Sequence, residues 1–122
     1  MRTVISNVEN LVAFRDTNEK LVLSKMPYPE LCILKKGYFP ETFDITEETF
    51  SLVSLDADLY NPILNGLEHF YPRLNKGGYI MIHDYNGFEY DGAMNAVMEY
   101  CDKLGINYVP IPDMAGSVII AK

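Results

Sequence analysis

Apolar residues in the middle of the chain form two short continuous runs with a helically spaced set between them. The first run, Phe50–Leu55, predicts a buried strand, and the second, Tyr79–Ile82, predicts another strand that Gly77 and Gly78 open. Between them, Pro62–Leu74 carries apolar residues three and four apart, which predicts a helix. The pattern therefore predicts a strand–helix–strand crossover, and such crossovers join parallel strands of one sheet.

Polar residues follow both predicted strands at the points where the strands end. Asp56 and Asp58 come after the first strand, and His83 and Asp84 come after the second. If the two strands are neighbours, their carboxyl ends lie about 5 Å apart. We therefore expect these four side chains to converge on one rim of the sheet, which is where open α/β sheets bind ligands.

The rest of the chain is also predicted to alternate between helices and strands. Two helices are predicted before the first proline pair, and a third one follows the rim, with Asp91 before it and Gly105 as its glycine cap. The predicted elements outside the crossover are helices over 1–16, 17–26 and 93–104, strands over 31–36, 107–110 and 117–121, and a loop over 37–42.

Composition narrows the class of protein. At 122 residues the chain is long enough for one domain, and its net charge of −7 and pI near 4.7 argue against nucleic acid or an anionic membrane as the partner. Cys32 and Cys101 lie in apolar segments, which is typical of free thiols in a reducing cytoplasm. No leader peptide or membrane-spanning run is evident, so we expect a cytoplasmic protein with a small-molecule partner.

Four motifs occur together in an order that is typical of one enzyme family: K-G-Y-F-P-E-T from Lys36, L-D-A-D-L-Y from Leu55, Y-P-R-L from Tyr71 followed by G-G-Y, and H-D-Y from His83. In this order and spacing they resemble the macrocin-type O-methyltransferases, which depend on S-adenosylmethionine. The resemblance covers about residues 17 to 122. It implies an α/β fold, an incomplete doubly wound (Rossmann-like) and mostly parallel sheet with helices on both faces.

The resemblance also implies roles for individual residues. A divalent metal, Mg²⁺ or another, would be held by Asp56, His83 and Asp84, and would lower the pKa of an acceptor hydroxyl. Asp56 and His83 would be catalytic, because either could take the hydroxyl proton. His83 departs from the family's carboxylates, and imidazole suits Mg²⁺ poorly, so either the metal differs or His83 is a base without metal. The remaining implied contacts are Gly37, Tyr38 and Asp56 to S-adenosylmethionine, and Asp58, Tyr60 and Tyr85 to a sugar-bearing acceptor.

The sequence lacks one motif that this resemblance leads us to expect. Enzymes of this class bind the methyl donor with a Gly-rich loop after their first strand, and no such loop precedes Leu31. Residues 1–122 are therefore interpreted as one partial methyltransferase domain that lacks the amino-terminal donor-binding strands. The strand at Phe50 would become a sheet edge, which predicts a rearranged sheet, a homo-oligomer that pairs through this edge, or poor solubility.

Simpler interpretations stay open beside the catalytic one. Strand-end carboxylates such as Asp58 are often solvated loop residues, His69 within a helix is explained by packing, and aromatic residues beside strands usually pack. The chain could also be a non-catalytic remnant that keeps half of the fold. A metal-dependent glycosyltransferase is a weaker alternative, because the D-x-D of Asp56–Asp58 is its only support. Donor binding distinguishes the enzyme from the remnant.

Overall fold

The computed structural model describes residues 3–7, 18–87, 91–114 and 116–122. The chain divides into two compact units, Met1–Thr46 and Glu47–Lys122. Within the described residues no helix is long and apolar enough to cross a membrane.

The first unit contains a two-stranded parallel sheet. Strand β1 (Thr3–Asn7) pairs with β2 (Cys32–Lys36), in the register Thr3 to Cys32. Helix α1 (Glu19–Ser24) begins after Asn18, whose side-chain oxygen accepts a hydrogen bond from the Leu21 N–H at 2.9 Å. This contact caps the first turn of the helix. A short 3₁₀ turn, Pro29–Leu31, then leads into β2.

The predicted helix over residues 1–16 is wrong where the structure describes it. Thr3–Asn7 is a strand, and the remaining residues of that prediction lie outside the described ranges. Thr3, Val4 and Ile5 are β-branched, which favours an extended backbone, and pairing with β2 satisfies their backbone groups. The predicted helix over 17–26 is confirmed over Glu19–Ser24, and the predicted strand over 31–36 is confirmed from Cys32.

The second unit contains a four-stranded sheet in the order β3-β4-β6-β5. Its elements in chain order are β3 (Phe50–Leu55), α2 (Tyr60–Phe70), β4 (Leu74–Ile82), α3 (Gly92–Leu104), β5 (Tyr108–Pro110) and β6 (Val118–Ala121). Strands β3 and β4 are parallel, which confirms the predicted crossover through α2. The α3 prediction is also confirmed, including Asp91 as the N-cap and Gly105 in the left-handed conformation with φ of 66°.

The prediction of a mostly parallel sheet is wrong for this unit. Strand β6 runs antiparallel to both of its neighbours, β4 and β5, so that only the β3–β4 pairing is parallel. The reason is the connection between β5 and β6. It is a short turn-rich segment, and a short connection returns the chain in the opposite direction, whereas a parallel neighbour needs a long crossover.

Two element boundaries differ from the predictions. Helix α2 begins at Tyr60 and ends at Phe70, short of the predicted Leu74, because Pro72 cannot continue a helix. Leu74 instead begins β4 and pairs with Phe50, so Gly77 and Gly78 lie inside this strand. Gly77 has φ of +79°, and the register between β3 and β4 shifts near this point. The glycines therefore form an irregularity within β4, not its start.

The core lies on one face of the four-stranded sheet. Ile80, Ile82 and Ile120 point to this face and are fully buried, together with Ile63 and Leu67 of α2. Helix α3 adds its own buried side chains: Ala93, Ala96, Val97, Tyr100 and Cys101. Burial raises the pKa of the Cys101 thiol to about 11, and both cysteines are free, as predicted. Both helices of this unit therefore cover the same face.

The opposite face of the sheet exposes apolar side chains. Leu52, Tyr79 and Val109 are 59%, 50% and 61% exposed, and the strand register places them on the face that α2 and α3 do not cover. The prediction of helices on both faces is thus wrong for this unit. So is the prediction that Phe50–Leu55 is a buried strand, since only Val53 in it is buried. Strand β3 is one of the two edge strands of this sheet, and the sequence had indicated that it would be an edge.

Candidate functional site

The carboxyl ends of β3 and β4 bring together the residues that the sequence singled out. One potential ligand atom each from Asp56, His83 and Asp84 lies within 4.8 Å of the other two. We refer to these three residues as the rim trio. The His83 N–H donates a hydrogen bond to the Leu55 carbonyl at 2.9 Å, which extends the strand pairing up to the trio. The parallel register of β3 and β4 therefore sets the position of all three side chains.

Asp58 belongs to the same rim, beside Asp84. Desolvation raises the pKa of Asp58, and the hydrogen bond and the negative charge of Asp84 raise it further. Both residues have a positive φ, 52° for Asp58 and 55° for Asp84. Aspartate tolerates this region better than most residues do, but it still costs on the order of 1 kcal/mol. The backbone is thus turned sharply at both strand ends, where the carboxylates are gathered.

The start of helix α3 packs closely under this rim. A Cβ atom on Gly92 would lie 2.6 Å from the Tyr60 backbone nitrogen and 3.3 Å from the Asp58 carbonyl oxygen. Only glycine allows this approach. From the same region the Tyr60 hydroxyl donates a short hydrogen bond to the Glu99 carboxylate of α3, which is the main reason why the pKa of Tyr60 is raised. Contacts with α3 therefore hold the loop that carries Asp58.

The other aromatic and donor-binding candidates have different surroundings. Tyr85 is buried and packs its ring against Tyr108 with centroids 6.0 Å apart, and burial raises its pKa to about 12. Its surroundings are those of a core residue. Gly37 and Tyr38 belong to the first unit, where Gly37 has φ of +138° and Tyr38 is 60% exposed. His69 lies on α2, and its Nδ1 is 2.7 Å from the Asn65 carbonyl oxygen.

Asp113 is a residue near the rim that the sequence did not indicate. It lies in the turn between β5 and β6, and its carboxylate accepts a hydrogen bond from the Ser117 N–H at 2.8 Å. This bond is the main cause of its lowered pKa, and the charge of His83 contributes. The Asn86 N–H donates to the Gly116 carbonyl at 3.0 Å, so the turn is tied to the segment after Asp84. No spacing rule connects residues 83 and 113, which is why the motifs missed this one.

Chemically, the rim trio offers two carboxylates and one imidazole. Such a set can take a proton from a hydroxyl, or it can hold a divalent cation. His83 and Asp84 are half-buried and Asp56 is exposed, so the trio is open to a small molecule from the solvent side of Asp56. The donor atoms therefore fit either a base or a metal with free coordination positions.

Comparison with known proteins gives this geometry a context. The family model for macrocin-O-methyltransferase (TylF) matches residues 29–116. An enzyme of Streptomyces olivaceus, 8-demethyl-8-(2,3-dimethoxy-alpha-L-rhamnosyl)-tetracenomycin-C 4'-O-methyltransferase, is 33% identical over 82 residues, which are 66% of this chain and 30% of that enzyme. Mycinamicin III 3''-O-methyltransferase of Micromonospora griseorubida is 35% identical over 72 residues, 58% of this chain and 27% of the enzyme. The chain thus spans less than a third of the length of these relatives.

Solved structures of similar fold include the O-methyltransferase NovP, with a TM-score of 0.66 and 26% identity over 75% of this chain and 38% of NovP. CalS11, a TDP-rhamnose 3'-O-methyltransferase of calicheamicin biosynthesis, matches with a TM-score of 0.74. The match covers 98% of this chain and 57% of the CalS11 chain. At 16% identity the second likeness concerns the fold alone.

Proposed function

Since the chain belongs to the macrocin-O-methyltransferase (TylF) family, we propose that it transfers a methyl group from S-adenosylmethionine to a hydroxyl group of a sugar or sugar-bearing metabolite. The observation that carries this proposal is the convergence of Asp56, His83 and Asp84 at the ends of two parallel strands. Methyl transfer to a hydroxyl group needs a base beside the acceptor oxygen, and the rim trio contains side chains that can act as this base. The relative from Streptomyces olivaceus is named for a rhamnosyl compound that it methylates, which supports the acceptor class.

The reaction needs a base near the acceptor oxygen. The hydroxyl oxygen attacks the methyl carbon of the sulfonium, a C–O bond forms, and the C–S bond breaks so that its electron pair returns to sulfur. The hydroxyl proton passes to the Asp56 carboxylate, or to His83 if no metal is bound to its imidazole. Asp56 suits this role because it is the exposed member of the trio, and His83 lies within reach of the same oxygen position. Asp58, beside Asp84, would accept a hydrogen bond from a second hydroxyl of the sugar.

Metal assistance is part of the proposal. Asp56, His83 and Asp84 would hold a divalent cation, which supplies Lewis acidity that lowers the pKa of a bound hydroxyl. The residues' own work is then to orient the acceptor and to receive its proton. Donor contacts are proposed for Gly37, Tyr38 and Asp56, and acceptor contacts for Tyr60 and Tyr85. The buried position of Tyr85 and the Tyr60–Glu99 hydrogen bond favour supporting roles for these two tyrosines.

A methyl-transfer assay tests the function. The purified chain is incubated with methyl-labelled S-adenosylmethionine and the acceptors of the two named relatives, and labelled product is separated by chromatography. We expect transfer that is reduced at least 100-fold in Asp56→Asn, in the range typical of general bases. The matched control is Glu48→Gln, an exposed carboxylate outside the four motifs, which should keep full activity. Absence of transfer from a folded chain would favour a non-catalytic remnant instead.

We further propose that the chain self-associates through β3. This edge strand has the sequence F-S-L-V-S-L, without charge or proline, and natural monomers usually protect an edge with one of these. Leu52 within this strand is 59% exposed. A Leu52→Lys variant should therefore shift the chain from dimer to monomer in light scattering after size exclusion, whereas Leu104→Lys, at an exposed leucine of α3, should not. A monomeric wild-type chain at micromolar concentration would contradict this.

A further inference from the structure

We infer that the rim trio selects a divalent transition cation of the Mn²⁺ and Co²⁺ class over Mg²⁺, because one of its three donors is an imidazole. This inference rests on the proposed metal-assisted function and names the cofactor class for the same site. The sequence left open whether His83 binds a metal other than Mg²⁺ or acts as a base without a metal.

The three donor side chains differ in the metals that they suit. Mg²⁺ prefers oxygen ligands in a strict octahedron, keeps several waters, and is rarely bound through imidazole. Manganese, cobalt and zinc ions accept imidazole nitrogen together with carboxylate oxygen. His83 is the member of the trio that separates the two groups of metals, since Asp56 and Asp84 would serve either of them.

The distances between the three donor atoms are compatible with binding of one ion. Ligand atoms about 2.1 Å from one cation can lie at most about 4.2 Å apart. The donor atoms of the trio lie within 4.8 Å of one another, so rotations about the side-chain bonds of Asp56, His83 and Asp84 would bring all three donors to one ion.

The other histidine supplies the contrast. His69 lies on α2, and its Nδ1 is 2.7 Å from the Asn65 carbonyl oxygen, away from any group of three possible ligands among the described residues. A preference for imidazole-binding metals that depends on His83 and not on His69 would therefore locate the metal at the rim.

The test is calorimetric titration of the full chain with Mn²⁺, Co²⁺ and Mg²⁺, each metal alone, without donor or acceptor. We expect Mn²⁺ and Co²⁺ to bind on the order of tenfold or more tightly than Mg²⁺. His83→Asp should lower this ratio by about tenfold, by weakening Co²⁺ binding and strengthening Mg²⁺ binding. His69→Gln, the matched control, should keep the wild-type ratio, and Asp56→Asn should weaken all three metals.

Equal or tighter binding of Mg²⁺ by the wild-type chain would overturn the inference, as would an unchanged ratio in His83→Asp. The wild-type ratio needs no variant, so a His83→Asp chain that fails to fold, seen by circular dichroism, leaves the inference testable. The outcome is separate from the proposed function. If the chain binds Mn²⁺ and Co²⁺ selectively but transfers no methyl group, only the proposed function is contradicted. If the chain binds none of the metals and still transfers the methyl group in the presence of a chelator, only the metal inference is contradicted.

Discussion

On its helix-covered face the four-stranded sheet buries Ile80, Ile82 and Ile120 completely, whereas at the carboxyl ends of β3 and β4 the same sheet gathers acidic and imidazole side chains. The covered face contains apolar groups in ordinary strand conformation. The rim contains like charges side by side and two aspartates with positive φ. Packing on the face stabilises the fold, and part of that stability supports a rim that would be unfavourable by itself. The difference suggests which substitutions should unfold the chain and which should only disable it.

The largest expected effect is on the covered face. Leu67→Ala should lower the free energy of unfolding by about 2–5 kcal/mol, because Leu67 is fully buried and its removal leaves a cavity. Leu52→Ala deletes the same atoms from the exposed face of the sheet and should cost less than about 1 kcal/mol at protein concentrations where the chain is monomeric. Urea unfolding followed by circular dichroism measures both. Equal losses for the two leucines would show that the faces do not differ.

Gly92 connects the two regions, and its substitution should have the next largest effect. Alanine normally favours a helix, but here its Cβ would lie 2.6 Å from the Tyr60 backbone nitrogen. We expect Gly92→Ala to cost about 1–3 kcal/mol, the usual penalty of overpacking, and to displace the loop that carries Asp58. Gly105→Ala is the control, since its Cβ meets no atom within 4 Å and its strain from φ of +66° should cost about 1 kcal/mol. A stabilised Gly92→Ala would refute the close contact.

Removing charge from the rim should stabilise the chain. Asp58→Asn keeps a residue that tolerates positive φ and removes the repulsion from Asp84. Because Asp58 is largely exposed, solvent screens this repulsion, and we expect a gain of no more than about 0.5–1 kcal/mol in chelator-treated protein. Methyl transfer should fall in the same variant. A variant that is less stable than the wild type would mean that the rim contributes to stability as the covered face does.

The smallest effect concerns pH and the turn beside the rim. The Ser117 N–H holds the pKa of Asp113 below its ordinary value of 3.8. A lowered pKa in the folded chain means that the ionised carboxylate stabilises it above about pH 4 and that this contribution is lost as the pH falls through the folded value. Asp113→Asn should therefore be less stable than the wild type at pH 7 and similar to it at the lowest pH. Thermal unfolding between pH 3 and 7 measures this difference in stability. The difference would be independent of pH if the Asp113 carboxylate accepted no hydrogen bond from the Ser117 N–H.

The sequence predicted the rim better than it predicted the sheet. The two apolar runs followed by Asp56 and His83 placed the trio correctly, because carboxyl ends of neighbouring parallel strands meet. Strand directions on the far side of β4 were predicted wrongly, since the apolar pattern of Val118–Ala121 is the same for a parallel and an antiparallel strand. The exposed face was missed for a related reason. Continuous apolar strands indicate cover on both faces but cannot say whether this chain provides it.

Local conformation at the rim was beyond the sequence for a different reason. Asp58 and Asp84, which have positive φ, lie beside contacts between distant residues: the close approach of Gly92 to the loop of Asp58, and the hydrogen bond from Asn86 to Gly116 after Asp84. Asp113 likewise reaches the neighbourhood of His83 only through the β5–β6 turn. Motifs reveal which side chains follow a strand, whereas tertiary contacts decide how those side chains are held.

The proposed methyltransferase site at the rim requires that the chain bind the methyl donor. Calorimetric titration of the monodisperse chain with S-adenosylhomocysteine, with and without Mn²⁺, tests this most directly. We expect binding with a Kd on the order of 10–100 μM, which corresponds to a binding free energy of about 5.5–7 kcal/mol in magnitude. Asp56→Asn, at a proposed donor contact, should weaken it, and Glu48→Gln, at an exposed carboxylate outside the motifs, should not. Absence of any binding by a folded wild-type chain would contradict the claim and leave the rim as a remnant of an enzyme site.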